Sequence, residues 1–294
     1  MAIDWRGVFP AITTPFHPSG DIDLEFFAEH LSWMLAEGCH GVVPCGSLGE
    51  SATLTIAEKV SLMAKAVDIA GEKPVIPGIA SLSTQEAVFL AKEAERVGCR
   101  GLMVLPPYAY STDWVEMRAH VAAVIAATSL DCMLYNNPVA YKTDFLPTHV
   151  ADLAAEFPNL TAVKESSADV RRIMAIRELI DGRLSLLVGV DDAIVEALRV
   201  GAVGWIAGLV NAFPAESVAI WRGTLDGEEV DDLYKWFLPL LRLDVVPKFV
   251  QLIKLTQQEV GRGSERVRGP RLQLVGAERE AALQIIRHGI QARP

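Results

Sequence analysis

Apolar positions along this chain follow two alternating rhythms. Short, mostly apolar runs end on glycine, proline or a polar residue, and stretches with apolar residues at helical spacing lie between them. The runs are GVFPAITTP (7–15), GVVPCG (41–46), PVIPGIA (74–80), GLMVLPP (101–107), CMLYNNP (132–138), LTAVKES (160–166), LSLLVGV (184–190) and GWIAGLV (204–210). Among the intervening stretches, DLEFFAEHLSWMLAEG, TIAEKVSLMAKAVDIAGE and STQEAVFLAKEAERVG predict amphipathic helices. The last starts at Ser83 and Thr84, in N-cap position, and stops at Gly98. Strands alternating with helices predict a parallel sheet, and eight such units predict a closed (β/α)8 TIM barrel. After residue 212 come the eighth helix and then further helical stretches with no strand among them: DDLYKWFLPLLRL, VPKFVQLIKLTQQEV and AEREAALQIIRHGIQ. The expected organisation is a catalytic barrel over residues 1–227 and a C-terminal helical extension over 228–294, packed on it without a low-complexity linker.

Composition fits this picture and narrows the function. Hydrophobic residues make up 51% of the 294, enough for a large core, and charged residues 22%. The net charge of -10 argues against nucleic acid as a partner, because phosphate contacts need a basic face. Cys39, Cys45, Cys99 and Cys132 are widely spaced and form no CxxC pair, so they read as reduced core residues of a cytoplasmic protein. The six histidines form neither an HExxH motif nor a cluster with the cysteines, so no metal is expected. No apolar run is long enough to span a bilayer, and MAIDWRGVFPAITTPF lacks the pattern of a signal peptide.

In such barrels the chemistry sits at the C-terminal ends of the strands. Side chains alternate along a strand, so Leu160, Ala162 and Lys164 share one face. If that face points inward, Lys164 rises into the barrel mouth above the small Ala162. An ammonium there is partly desolvated, which lowers its pKa, and the neutral amine attacks ketones to form a Schiff base. The same spacing also suits an ordinary surface lysine at a strand end. By alternation Tyr135 and Asn137 of YNNP share a face, and a phenol beside a carbonyl carbon can relay protons, although a core tyrosine fits as well. In GSLGES (46–51), Gly46 and Gly49 permit a tight turn whose amides suit a carboxylate, and Ser47 adds a hydroxyl. That turn lacks the ending of a phosphate loop, and Glu50 would repel an anion, so Glu50 is expected to brace it. PPYAYS offers Tyr108, and VGVDD offers Asp191 and Asp192, for which helix capping is the alternative role.

A GxxGE turn, then PPY, YNxP and KE, in this order and spacing, resembles the dihydrodipicolinate synthase / N-acetylneuraminate lyase family. The likeness covers nearly the whole chain, including TTPF (13–16) and the helical tail. It implies a class I (Schiff-base) aldolase-type lyase or hydro-lyase without a cofactor. Lys164 is then the Schiff-base lysine and Tyr135 the acid–base residue, with Ser47 and Tyr108 completing its proton relay. The resemblance places the substrate carboxylate at Gly46, Ser47 and Leu48. It assigns Asn137, Gly189, Asp191 and Ile206 to substrate binding, with the glycine and acid of GVDD holding substrate hydroxyls. In many members the tyrosine at the position of Tyr108 comes from a neighbouring subunit, which implies a homo-oligomer built as a dimer of dimers.

Two positions depart from the synthases. They carry a hydroxyl residue where this chain has Leu48, and an arginine gripping the second substrate's carboxylate where it has Ala140. Losing that guanidinium removes a charged contact worth about 1.5–3 kcal/mol. The expected substrate is therefore one hydroxylated 2-oxo acid or its cyclic imine, and the overall likeness favours 4-hydroxy-1-pyrroline-2-carboxylate deaminase. The alternatives are dihydrodipicolinate synthase activity and a non-catalytic 2-oxo-acid-binding regulatory barrel. A metal-dependent barrel enzyme would need more strand-end ligands than the Asp191–Asp192 pair.

Overall fold

The computed structural model describes residues 2–107, 113–180 and 182–294. Among them are seven parallel strands: β1 (Gly7–Pro10), β2 (Gly78–Ile79), β3 (Gly101–Val104), β4 (Asp131–Asn136), β5 (Leu160–Glu165), β6 (Ser185–Val188) and β7 (Gly204–Ala207). Twelve helices join and follow them: α1 (Leu24–Ala36), α2 (Ile56–Ala70), α3 (Thr84–Arg96), α4 (Trp114–Ile125), α5 (Pro138–Tyr141), α6 (Pro147–Glu156), α7 (Arg171–Ile180), α8 (Ile194–Arg199), α9 (Pro214–Asp226), α10 (Asp231–Leu241), α11 (Phe249–Glu259) and α12 (Gly276–Gln291). The sheet runs β1-β7-β6-β5-β4-β3-β2, and the chain folds as a TIM barrel with C-terminal helices.

The second of the eight expected strands, 41–46, is reduced to single bridges, Val42 with Val75 and Val43 with Ala11. It still closes the ring. Val43 N donates to Pro10 O (2.8 Å), Val42 N to Pro74 O (3.0 Å) and Gly78 N to Pro44 O (2.8 Å). Proline explains why no continuous ladder forms. Pro44, Pro74 and Pro77 have no N–H to donate, so the rungs they would supply are missing and β2 shrinks to two residues.

Helix starts follow their sequence signals. Thr55 and Glu58 form a reciprocal capping box on α2, and Asp23 and Ser83 cap α1 and α3 through their side chains. The α3 helix closes before Gly98, whose φ of +95° is disfavoured for residues with a Cβ. On the tail, Phe213 meets the ring edges of Trp236 and Phe237 at 5.9 and 5.8 Å. Helices α10 and α12 approach closely at Gly289, where a Cβ would sit 2.6 Å from Leu240. Among the described residues no helix is long and apolar enough to cross a membrane.

The tail also reaches the barrel mouth. Lys254 of α11 is buried, and its Nζ donates to Glu50 Oε1 (2.5 Å), Thr14 O (2.7 Å) and Arg266 O (2.7 Å). Glu50 Oε2 accepts from Arg268 N at 3.0 Å. The ring of Phe16 lies beneath Lys254 Nζ at 4.5 Å. The expected brace at Glu50 is thus an ion pair between the GSLGES turn and the C-terminal helices.

Candidate active site

Lys164 lies in β5, 6% exposed, and its Nζ sits 4.1 Å from the centroid of the Tyr135 ring. The two residues are level on neighbouring strands because of a slip in pairing. Cys132 pairs with Leu160, but Met133 pairs with Ala162, so Thr161 is an extra residue on β5. That shift puts Tyr135 opposite Lys164. Thr161 is used elsewhere, its Oγ1 accepting from Trp5 Nε1 at 3.0 Å.

Gly189 gives the lysine its path. A Cβ there would stand 2.1 Å from Lys164 Cε and 2.2 Å from Ser166 Oγ. The expectation that Gly189 contacts substrate is therefore joined by a nearer reason for glycine, room for the lysine stem. Gly189→Ala should slow reaction of Lys164 with carbonyl reagents about 100-fold by moving the amine. Overpacking should cost only about 1–3 kcal/mol of stability, so calorimetry should still show one cooperative transition. Unchanged labelling kinetics would remove this role.

Asn137 Nδ2 donates to the Tyr135 hydroxyl at 3.0 Å, and its Oδ1 accepts from Ala140 N at 2.9 Å as the N-cap of α5. Asn137 therefore orients the phenol while starting the short helix beyond it. That helix delivers Tyr141, a residue without a role in the sequence reading. Its hydroxyl is hydrogen-bonded to Ser47 Oγ, and its ring meets that of Tyr135 edge-on at 5.8 Å. Ser47 thus approaches Tyr135 by way of Tyr141. Tyr108 lies outside the described residues.

The turn at 46–50 differs in detail from its expectation. Its left-handed residues are Cys45 (φ +58°) and Glu50 (φ +56°), not the two glycines. Gly49 serves close approach instead, since a Cβ would lie 3.0 Å from Ile12 O. Gly46 has ordinary space, its nearest neighbour being Met103 Cε at 3.5 Å. Ser51 N closes the turn onto Gly46 O (3.3 Å), Thr14 Oγ1 donates to Gly49 O (2.6 Å), and Leu48 is buried.

Behind the lysine, Glu165 is buried and accepts from Asn136 Nδ2 (3.1 Å) and Ser167 N (2.6 Å). Burial raises its carboxyl above the usual range, against the pull of those donors. Asn136 also donates to Asp144, which Arg172 holds with two nitrogens at 2.6 and 2.7 Å. This network fixes the ends of β4 and β5.

Asp191 does not cap its own helix. Fully buried, it accepts from Trp205 Nε1 (2.9 Å), Gly208 N (3.1 Å) and Leu209 N (2.8 Å), tying the end of β6 to the segment after β7. Burial pushes its carboxyl up to about 6, and the donors and the Lys164 charge pull it back. Ile206 is buried in β7 and pairs with Phe9. Ala140 is exposed on α5, and the neighbouring Lys142 turns back to donate to Val139 O at 3.0 Å. Among the described residues no group of three or more His, Cys, Asp or Glu is placed to hold a metal ion.

Residues 4–288 match the model of the Dihydrodipicolinate synthetase family. The chain is 35% identical over 239 residues to a 4-hydroxy-tetrahydrodipicolinate synthase of Chelativorans sp. (strain BNC1), covering 80% of this chain and 82% of that one. It is 31% identical over 292 residues to a protein of the same name from Methanoculleus marisnigri, covering 97% and 100%. Among solved structures, the 4-hydroxy-tetrahydrodipicolinate synthase of the methanotroph Methylacidiphilum fumariolicum SolV superposes with a TM-score of 0.91 at 29% identity, over 97% of each chain.

Proposed function

Because the chain belongs to the Dihydrodipicolinate synthetase family and is a class I aldolase-type lyase, we propose that it converts one hydroxylated 2-oxo acid, or its cyclic imine, through a Schiff base on Lys164. The observation that carries this reading is Ala140. Where a synthase uses arginine to hold the carboxylate of a second substrate, this chain presents an exposed methyl group, and Lys142 is turned back onto the backbone. A single tethered substrate needs no such grip.

The chemistry follows from the named groups. The neutral Lys164 amine adds to C2 of the oxo acid and water leaves, giving an iminium. The substrate carboxylate lies against the backbone of Ser47 and Leu48. Tyr135, oriented by Asn137 and approached by Tyr141 and Ser47, moves protons at the carbons beside the iminium. Loss of a C3 proton gives an enamine, which can expel a C4 hydroxyl as water. Deprotonation of that hydroxyl instead cleaves the C3–C4 bond. The specific reaction we favour is deamination of 4-hydroxy-1-pyrroline-2-carboxylate: Lys164 displaces the ring nitrogen from C2 and opens the ring, the enamine expels the C4 hydroxyl as water, and the C5 amine, converted to an imine by tautomerisation, is hydrolysed to ammonia and an aldehyde before water frees the product from Lys164. Tyr108 would complete the relay across a subunit interface in a dimer of dimers. The four cysteines are buried, with thiols pushed up to about 12 by burial, which supports a reducing, cytoplasmic setting.

The named relatives favour a second reading, condensation of pyruvate with aspartate semialdehyde. A substrate panel separates the two. We expect negligible condensation and measurable turnover of at least one hydroxylated 2-oxo acid or cyclic imine. Condensation with kcat/KM of roughly 10⁴ M⁻¹s⁻¹ or more, within the ordinary enzyme range, would overturn the proposal.

A further inference from the structure

A single 3-10 turn at Arg242–Asp244 follows α10 and packs beside the end of β6. Two contacts hold this part of the tail there. Arg242 Nε lies 3.9 Å from Asp192 Oδ2, and the Tyr234 hydroxyl donates to Asp192 O at 2.5 Å. The turn directs the Asp244 carboxyl over Gly208. A Cβ on Gly208 would fall 2.0 Å from Asp244 Oδ1, so the acid occupies the space that a side chain there would fill.

Asp244 Oδ1 is fully enclosed and has no hydrogen-bond partner among the described residues. Its neighbour Asp191 has three donors, while Asp244 Oδ1 has none among the described residues. An enclosed carboxyl oxygen without a donor costs free energy unless a ligand supplies one. A second enclosed atom without a partner among the described residues is Ser166 Oγ, which flanks the Lys164 stem at Gly189. Gly208 links Asp244 to the site, since its N donates to Asp191 Oδ2 at 3.1 Å while Asp244 Oδ1 covers its Cα. Burial and Asp191 raise the Asp244 carboxyl well above the usual range, and Lys164 opposes them.

We propose that Asp244, supplied by the C-terminal helices, receives a hydroxyl on the distal carbons of the 2-oxo acid bound at Lys164 and thereby selects hydroxylated substrates. This assignment rests on the single-substrate reading above and adds to it a recognition residue outside the barrel.

The test compares borohydride trapping of 4-hydroxy-2-oxopentanoate and 4,5-dihydroxy-2-oxopentanoate with trapping of 2-oxopentanoate, read by intact mass at varied concentration. The wild type should reach half-maximal trapping at roughly 3- to 10-fold lower concentration with at least one hydroxylated acid, as expected for one hydrogen bond to a carboxyl. In Asp244→Ala that ratio should fall to near one, whatever happens to the absolute rates. Gly208→Ala, which displaces the carboxyl without removing it, should produce the same collapse and guards against misfolding of the first variant. A wild-type ratio near one, or a ratio kept in both variants, would overturn the assignment. Preferential trapping without turnover would reject the proposed reaction and leave the role of Asp244 standing. Turnover with an unchanged ratio in the variants would do the reverse.

Discussion

Sodium borohydride added with pyruvate should fix one reduced pyruvyl group on Lys164, and Lys164→Ala should abolish both the adduct and turnover, the latter on the order of 10⁴- to 10⁶-fold as for loss of other nucleophiles. Lys59, Lys164 and Lys254 are the buried lysines among the described residues. Lys59 Nζ donates to Ala80 O at 2.9 Å, and Lys254 Nζ is held by Glu50 and two carbonyls. Those amines are committed to the fold. Lys164 instead lies across the ring of Tyr135 at the end of β5, with Gly189 leaving room for its stem. Peptide mapping of the reduced protein decides the matter. Label on any other lysine would end the Schiff-base mechanism for this chain.

Lys254→Met should be the most damaging single change to stability outside the hydrophobic core. It leaves Glu50, fully buried, with only the more distant Arg271 guanidinium, 3.9 Å away, in place of its ammonium partner. Breaking a buried ion pair from one side costs about 3–5 kcal/mol, so thermal unfolding should move down by roughly 10 °C. The damage should also reach the site, because Glu50 ends the turn that carries Ser47 and Leu48. Adding Glu50→Gln to Lys254→Met should recover much of the loss, since no unpaired charge then remains in the interior. A single variant that melts within about 2 °C of the wild type would contradict this account of the ion pair.

The barrel was legible in the sequence because its evidence is local. Apolar runs, caps at Asp23, Thr55 and Ser83, and the stop at Gly98 each act over a few residues. Lys164 and Tyr135 were legible for the same reason, as strand-end residues in short motifs. What brings them level was not. The extra Thr161 on β5 depends on pairing between strands, and a mostly apolar run such as LTAVKES fixes no register. The weak strand at 42–44 could have been anticipated, since Pro44, Pro74 and Pro77 stand in plain view. Tyr141 needed the geometry of α5 before it could be set beside Ser47. Asp244 lies 80 residues beyond Lys164, in helical sequence with no motif around it, and only tertiary packing brings its carboxyl to Gly208.

The bond between Lys254 and Glu50 spans 204 residues, more than two thirds of the chain. A ribosome adding roughly 5–20 residues per second makes Glu50 some 10–40 s before it makes the lysine. During that interval every barrel strand can already have emerged, yet the turn proposed to receive the substrate still lacks its counter-charge. The nascent protein is therefore built before it is competent, and its last helices act as a completion check. A message cut short after the barrel would yield a product in which Glu50 has no ammonium to hold the 46–51 turn in place.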